Sequence, residues 1–314
     1  MIKVKHHVEP QMNTIENVNA TDKGRFFRDS SLDIVICDTP TFKNNNDRLL
    51  NNWSNETEYY QWFKIFVNIV SIKLKKTGIF YLIGDLEDIH PLISIIQDAD
   101  FQLTMTYYFT KSKKINVTKK SKDNLKNHKI IECVLVFTRN FIKKVKKILK
   151  LKQTEQKLSA KEINIELSGN GNGGGYWSLY CGDNSKNILP SEEHWNKLCD
   201  ILKIDIDYSD INTQFRPYEG INLWEDVYYE DDKLLSGINR PILFYERLIE
   251  MNRRNPSELI IWDPFCGYGN STKAFKKLEC SYYACEFDPK IYYKALINTG
   301  SVSNTIRPVN VQVP

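Results

Sequence analysis

The string Ile260-Ile261-Trp262-Asp263-Pro264-Phe265-Cys266-Gly267-Tyr268-Gly269-Asn270-Ser271-Thr272 constrains this chain more than any other. It is an apolar run that ends on an acid, passes through a turn with two glycines and opens a helix near Ser271. That is one strand-turn-helix step of a doubly wound α/β sheet, and it brings backbone amides and a helix start to one point. The next apolar run, Ala284-Cys285-Glu286, closes on a second carboxylate where such sheets pair an acid with ribose hydroxyls. The combination points to a nucleoside-bearing ligand. The spacing is not G-x-G-x-x-G and no G-x-x-x-x-G-K-S/T occurs, which argues against NAD and nucleoside triphosphates.

The rest of the chain fits the same architecture. Leu32-Asp33-Ile34-Val35-Ile36-Cys37 reads as a buried strand running into Asp38-Thr39-Pro40-Thr41-Phe42, where the proline stops the ladder. Apolar residues at helical spacing from Thr57 to Lys76 predict a helix ending near Gly78, followed by a strand at Ile79 to Ile83 and a short helix around Pro91 to Ile96. Strands are expected at about 101–109 and 130–138, flanking a basic, turn-rich stretch. Helix, strand, helix, strand and helix follow at 240–251, 258–262, 269–278, 281–286 and 289–298. The expected fold is therefore a doubly wound, mostly parallel, Rossmann-like sheet assembled from two halves, 1–139 and 221–314, with 140–220 as an inserted accessory region.

Composition narrows the setting. No apolar run approaches the roughly 20 residues of a membrane span, since Lys64, Asn68, Ser71 and Lys73 interrupt the longest one. The start, MIKVKHHVEP, has no apolar signal core, and the seven cysteines form no C-x-x-C pair. A reducing compartment is expected: the cytoplasm of a prokaryote or virus, or a eukaryotic nucleus. The five histidines do not fall at metal-ligand spacings with the cysteines, so no metal is expected, and Cys266 reads as a small packed residue. Charge is segregated: residues 111–152 hold fifteen Lys/Arg against two acids, whereas 182–232 hold four against thirteen. A basic tract of that density, with Lys113, Lys114, Lys119 and Lys120 at its turn, suits a polyanion, although a solvated face is the plainer reading.

The strings DPFCGYGNST and ACEFDP resemble the cofactor half of S-adenosylmethionine-dependent amino-methyltransferases. Their order in the chain is that of the permuted β group of DNA adenine-N6 and cytosine-N4 methyltransferases. In that group a catalytic D-P-P-Y or S-P-P-Y comes early and the cofactor motif late, and here DIVICDTPT (33–41) stands early. LKKTGIFYLIGD (74–85), KIIECVLVFTRN (129–140) and NRPILFYERLI (239–249) are similar, in order, to the family's helix-strand step, its strand carrying a Glu and the helix before its cofactor strand. The resemblance implies methyl transfer from S-adenosylmethionine to the exocyclic amine of a DNA base. Asp263, Phe265, Gly267 and Gly269 would line the cofactor's amino-acid and sulfonium side, with Ser271 and Thr272 capping the helix. Glu286 would hold the ribose, and Arg240 with Pro241 would brace the cofactor.

By the same resemblance Asp38 is the catalytic acceptor, Pro40 shapes its turn, and the position after Pro40 is normally an aromatic that stacks on the flipped base. Here that position is Thr41, so Phe42, or another aromatic from 43–62, is the candidate replacement ring. Asp rather than Ser at position 38 tilts the target toward adenine N6 over cytosine N4. The altered motif leaves a second reading, an impaired paralogue that binds nucleic acid or scaffolds an active partner. RNA is a lesser alternative to DNA, and a homodimer or a methyltransferase partner subunit both stay open. Recognition of the target sequence falls to 43–56, 111–128 and 140–220.

Overall fold

Near-continuous apolar runs buried on both faces are the mark of parallel strands covered by helices on either side, and this chain has several. A computed structural model describes residues 9–40, 42, 53–110, 131–169, 175–182, 187–218, 222–227, 230–232 and 237–302. The chain divides into two units, one formed by 1–138 with 215–314 and the other by 139–214.

The larger unit holds an eight-stranded sheet. Its strands are β1 (Thr14–Glu16), β2 (Leu32–Asp38), β3 (Leu74–Gly84), β4 (Phe101–Thr110), β5 (Ile131–Arg139), β6 (Leu223–Trp224), β9 (Ile260–Asp263) and β10 (Ser281–Cys285), in the order β1-β10-β9-β2-β3-β5-β4-β6. A separate antiparallel hairpin joins β7 (Glu230–Asp232) to β8 (Gly237–Asn239). The pairs β1·β10, β10·β9, β9·β2 and β2·β3 are parallel, and β5 runs antiparallel to β3. The chain winds outward from β9 to β10 and, in the opposite sense, from β2 to β3. The boundary between β9 and β2 is therefore the topological switch point, where ligands bind at the carboxyl ends of the strands.

Alternate residues of each strand face opposite layers. Val35, Cys37, Phe80, Leu82 and Trp262 pack under α1 (Ala20–Gly24), α2 (Glu56–Lys73) and α3 (Leu86–Asp98). Ile34, Ile36, Tyr81, Ile83 and Ile261 pack under α8 (Ile242–Glu250), α9 (Asn270–Lys277) and α10 (Pro289–Asn298). Two elements differ from expectation. The helix over 57–76 ends at Lys73 and the chain enters β3 directly, because Leu74 already pairs with Leu32. Residues 9–31, whose sequence carries no clear period, supply β1 at the sheet edge, where it pairs with β10.

The smaller unit is helical: α4 (Phe141–Gln156), α5 (Ala160–Ser168), α6 (Tyr176–Cys181) and α7 (Glu192–Leu202). Phe141, Val145, Leu149, Ile163, Trp177, Trp195 and Leu198 form its core. Local signals set its boundaries: Asn140 caps α4, and Ser159 with Glu162 forms a complete capping box on α5. Residues 215–218, expected from sequence to be part of the insertion, belong to the larger unit, where Phe215 bridges Asn252 and the Tyr218 N–H donates to the Tyr107 hydroxyl.

Candidate active site

Four strands deliver an acid or its neighbour to the switch-point edge: β2 ends on Asp38, β9 on Asp263 and β10 just before Glu286, while Glu132 lies near the start of antiparallel β5. Between β9 and α9 the turn is held by its own groups. Asp263 accepts the Phe265 N–H at 3.1 Å, and Glu286 accepts the N–H groups of Gly267 at 3.1 Å and Asp288 at 2.7 Å. Gly267 and Gly269 have φ of 53° and 82°, the left-handed region that a residue with a side chain enters only at a cost. A Cβ at Gly267 would meet open space, whereas one at Gly269 would lie 2.8 Å from the Thr299 methyl. The first glycine thus leaves the backbone open to a ligand, and the second lets the turn pack on α10.

Asp263 and Glu286 are 2% and 6% exposed. Burial pushes each carboxyl up to about 7, against the pull of the Phe265 N–H on Asp263 and of the Asp288 and Gly267 N–H groups on Glu286. Ser271 and Thr272 are fully buried in the first turn of α9. Burial also drives the Cys266 thiol well up, so it stays protonated and packed.

Beside this turn is a cavity of about 150 Å³ lined by Val18, Ala20, Pro40, Trp62, Phe265 and Phe287, among others. Its walls are mainly apolar, and one of them, Phe287, directly follows Glu286 in the chain. The Asn17 amide donates to the carbonyls of Glu286 and Phe287 at 2.8 and 2.9 Å, which ties that segment to the residue following β1. Phe265 lies 5.5 Å from Phe66 and 5.9 Å from Trp62, ring centre to ring centre, so it is both a core residue and a cavity wall.

Asp38 is about one-third exposed. Arg240, which precedes α8, extends Nη1 to Asp38 Oδ2 and Nη2 to Glu132 Oε2, the latter at 2.8 Å. Its guanidinium therefore faces the carboxylate of the D-T-P turn as well as lying near Asp263. Phe42 packs on Tyr59 with ring centres 6.4 Å apart, at the edge of an aromatic cluster that includes Trp53 and Trp62. Thr41 lies outside the described residues.

The sequence model of a family described as DNA methylase, the N6/N4 methyltransferases, matches residues 32–297. The chain belongs to the DNA methylase family. No curated protein matches the sequence. Among solved structures, PvuII DNA methyltransferase, which is cytosine-N4-specific, is 14% identical over 94% of this chain and 88% of its own, with a TM-score of 0.51. TTHA0409, described as a DNA modification methylase of Thermus thermophilus and solved with S-adenosylmethionine, is 12% identical over 91% and 93%, with a TM-score of 0.50. Both share the Rossmann-like methyltransferase fold.

In this DNA methylase the sequence-derived residues Asp38, Pro40, Asp263, Phe265, Gly267, Gly269, Ser271, Thr272, Glu286 and Arg240 gather at one edge of one sheet. The sequence does not single out Val18, Ala20 and Phe287, which line the cavity, or Asn17, which ties its wall, whereas Trp62 falls within 43–62, where an aromatic partner for Asp38 is expected. β1 is only three residues long, too short to show a period. Lys113, Lys114, Lys119 and Lys120 lie outside the described residues.

Proposed function

We propose that this chain transfers a methyl group from S-adenosylmethionine to the exocyclic amine of a base in DNA, adenine N6 in preference to cytosine N4. The observation that carries this reading is the meeting of Asp38 with the glycine turn at the switch point: an acceptor for an amine stands beside a cradle for a nucleoside. The donor set fits the cofactor. Asp38 and Glu132 share the Arg240 guanidinium, which also lies near Asp263, and Glu286 adds a further carboxyl at the end of the next strand, so the edge favours a ligand of net positive charge. The cavity beside Glu286 offers apolar walls to a flat heterocycle, and Glu286 offers a charged acceptor to sugar hydroxyls.

When bound, S-adenosylmethionine supplies an electrophilic methyl on a sulfonium. The protein's task is to raise the reactivity of an amine whose lone pair is delocalised into the base ring. Asp38 accepts one N–H of that amine and, with a main-chain carbonyl of the 38–40 turn, stabilises the positive charge that develops on nitrogen as the bond to carbon forms. Pro40 fixes φ in that turn. A base inside the duplex is out of reach, so it must be flipped out, and the aromatic cluster around Tyr59 with Phe42 is the stacking surface nearest in sequence. In the helical unit, α4 presents Lys143, Lys144 and Lys147 to solvent, a face suited to phosphates. The 38th residue, an acid as in D-P-P-Y, supports adenine.

Glu286→Ala is expected to weaken S-adenosylmethionine binding by about 1–3 kcal/mol, the cost of leaving sugar hydroxyls without a charged acceptor. Isothermal titration on the folded variant checks this, and unchanged affinity would remove Glu286 from the site. The function itself is tested by incubating the chain with labelled S-adenosylmethionine and unmethylated DNA, then identifying the modified nucleoside.

A further inference from the structure

Glu132 is a buried carboxylate on β5 that neither the glycine turn nor the cofactor cavity uses. Its side chain is 7% exposed, and its ion-pair partner is Arg240, itself 10% exposed, at 2.8 Å. Buried ion pairs add little net stability over apolar residues of the same volume, so folding alone gives weak reason for one here. What this pair supplies is a guanidinium whose other arm ends on Asp38 Oδ2. Arg240 is further confined by the Phe244 ring, 5.8 Å from its Cζ. A planar fork held by two carboxylates has a fixed orientation, unlike a lysine, which would present a single mobile charge.

We infer that Glu132 is a positioning residue of the methyl-transfer site, acting through Arg240 to fix the plane of the Asp38 carboxylate toward the target amine. The inference rests on the proposed function and assigns Glu132 a part in it. It has two physical consequences. Misplacing a catalytic group by about 1 Å can cost roughly 10²-fold in rate, so loosening Arg240 lowers turnover without touching the cofactor cavity. The charges facing Asp38 among the described residues are Arg240, Glu132 beyond it and Asp263 on β9, with the neutral Tyr245 phenol on α8 and the Cys37 thiol beside it. Removing the Glu132 charge leaves Arg240 serving Asp38 more fully, which favours the ionised carboxylate. Removing the Arg240 charge leaves Asp38 among like charges, which disfavours it.

The test is kcat and KM against pH for the full chain, Glu132→Gln, Arg240→Gln and Arg240→Lys, with methyl-labelled S-adenosylmethionine and unmethylated plasmid DNA. Thermal melting identifies any variant that fails to fold. Glu132→Gln should lower kcat about tenfold or more with KM for the cofactor changed less than about twofold, and its acid limb should move to lower pH. Arg240→Gln should move the acid limb to higher pH. Arg240→Lys, which keeps the charge but loses the fork, should lower kcat with a smaller displacement of that limb. Folded variants whose kcat and acid limb match the wild type would overturn the role of Glu132 while leaving the proposed function standing. A wild-type chain that binds the cofactor and transfers no methyl would overturn both.

Discussion

Asp38→Ala should lower methyl transfer by about 10²-fold or more while leaving S-adenosylmethionine and DNA binding nearly unchanged. The lost hydrogen bond strengthens only as the amine nitrogen becomes positive, so it contributes to the transition state far more than to the bound ground state, and a factor of 10² corresponds to about 2.7 kcal/mol. The fold should survive the change. Asp38 is about one-third exposed at a strand end, and Arg240 keeps Glu132 as a partner at 2.8 Å, so no buried cation is stranded. Single-turnover rates beside a cofactor titration separate the two effects. A variant that loses cofactor binding in proportion to rate would mean that Asp38 holds the site together without touching the amine.

Cofactor affinity should fall steeply below neutral pH. Asp263 and Glu286 are each raised by burial to about 7, from ordinary values of 3.8 and 4.5. In the cofactor-free fold both carboxyls therefore keep their protons through a range where the unfolded chain has released them. Because the fold binds more protons than the unfolded chain between about pH 4 and 7, its stability declines as pH rises through that window. A cationic cofactor binds the ionised forms and must displace those protons. Each group then costs up to about tenfold in affinity per pH unit below 7, and together they give up to about 10²-fold weaker binding at pH 6 than at pH 8. Calorimetry across that range, in buffers of different ionisation enthalpy, should register proton release on binding near pH 7. Glu286→Gln should keep only the dependence of a single group. A dissociation constant that is flat from pH 6 to 8 would contradict the placement of these two carboxylates at the cofactor.

The steps legible in the sequence are those where local pattern and tertiary packing agree. Ile260–Asp263 and Ser281–Cys285 are buried on both faces, so their apolar runs stand out, and the glycine turn between them announces its left-handed backbone through its composition. Helix α2 reads too long from sequence because Leu74 continues its apolar period while pairing with Leu32, a contact that only the sheet creates. The strand Thr14–Glu16 carries too few residues to show alternation, and its register on β10 comes from the sheet edge. With it come Asn17, Val18 and Ala20, one wall of the cavity and the tie on Glu286. The link between Asp38 and Arg240 spans 202 positions and has no local signature. The family resemblance implies Asp38 as the amine acceptor and Arg240 as a brace for the cofactor, and only the assembled sheet turns the guanidinium onto the carboxylates of Asp38 and Glu132. Phe42 reads from sequence as a ring available to a flipped base, and in the fold it lies against Tyr59, at one end of a cluster that also includes Trp53 and Trp62.

The most direct measurement incubates the full chain with methyl-tritiated S-adenosylmethionine and unmethylated DNA of mixed sequence, digests the DNA to nucleosides and identifies the labelled one. Label is expected in N6-methyladenine from the wild type, and its loss, by about 10²-fold or more, from Asp38→Ala. Label in N4-methylcytosine would keep the enzyme and overturn the preference for adenine. Wild-type protein that binds the cofactor yet leaves both bases unlabelled would contradict methyl transfer to DNA by this chain.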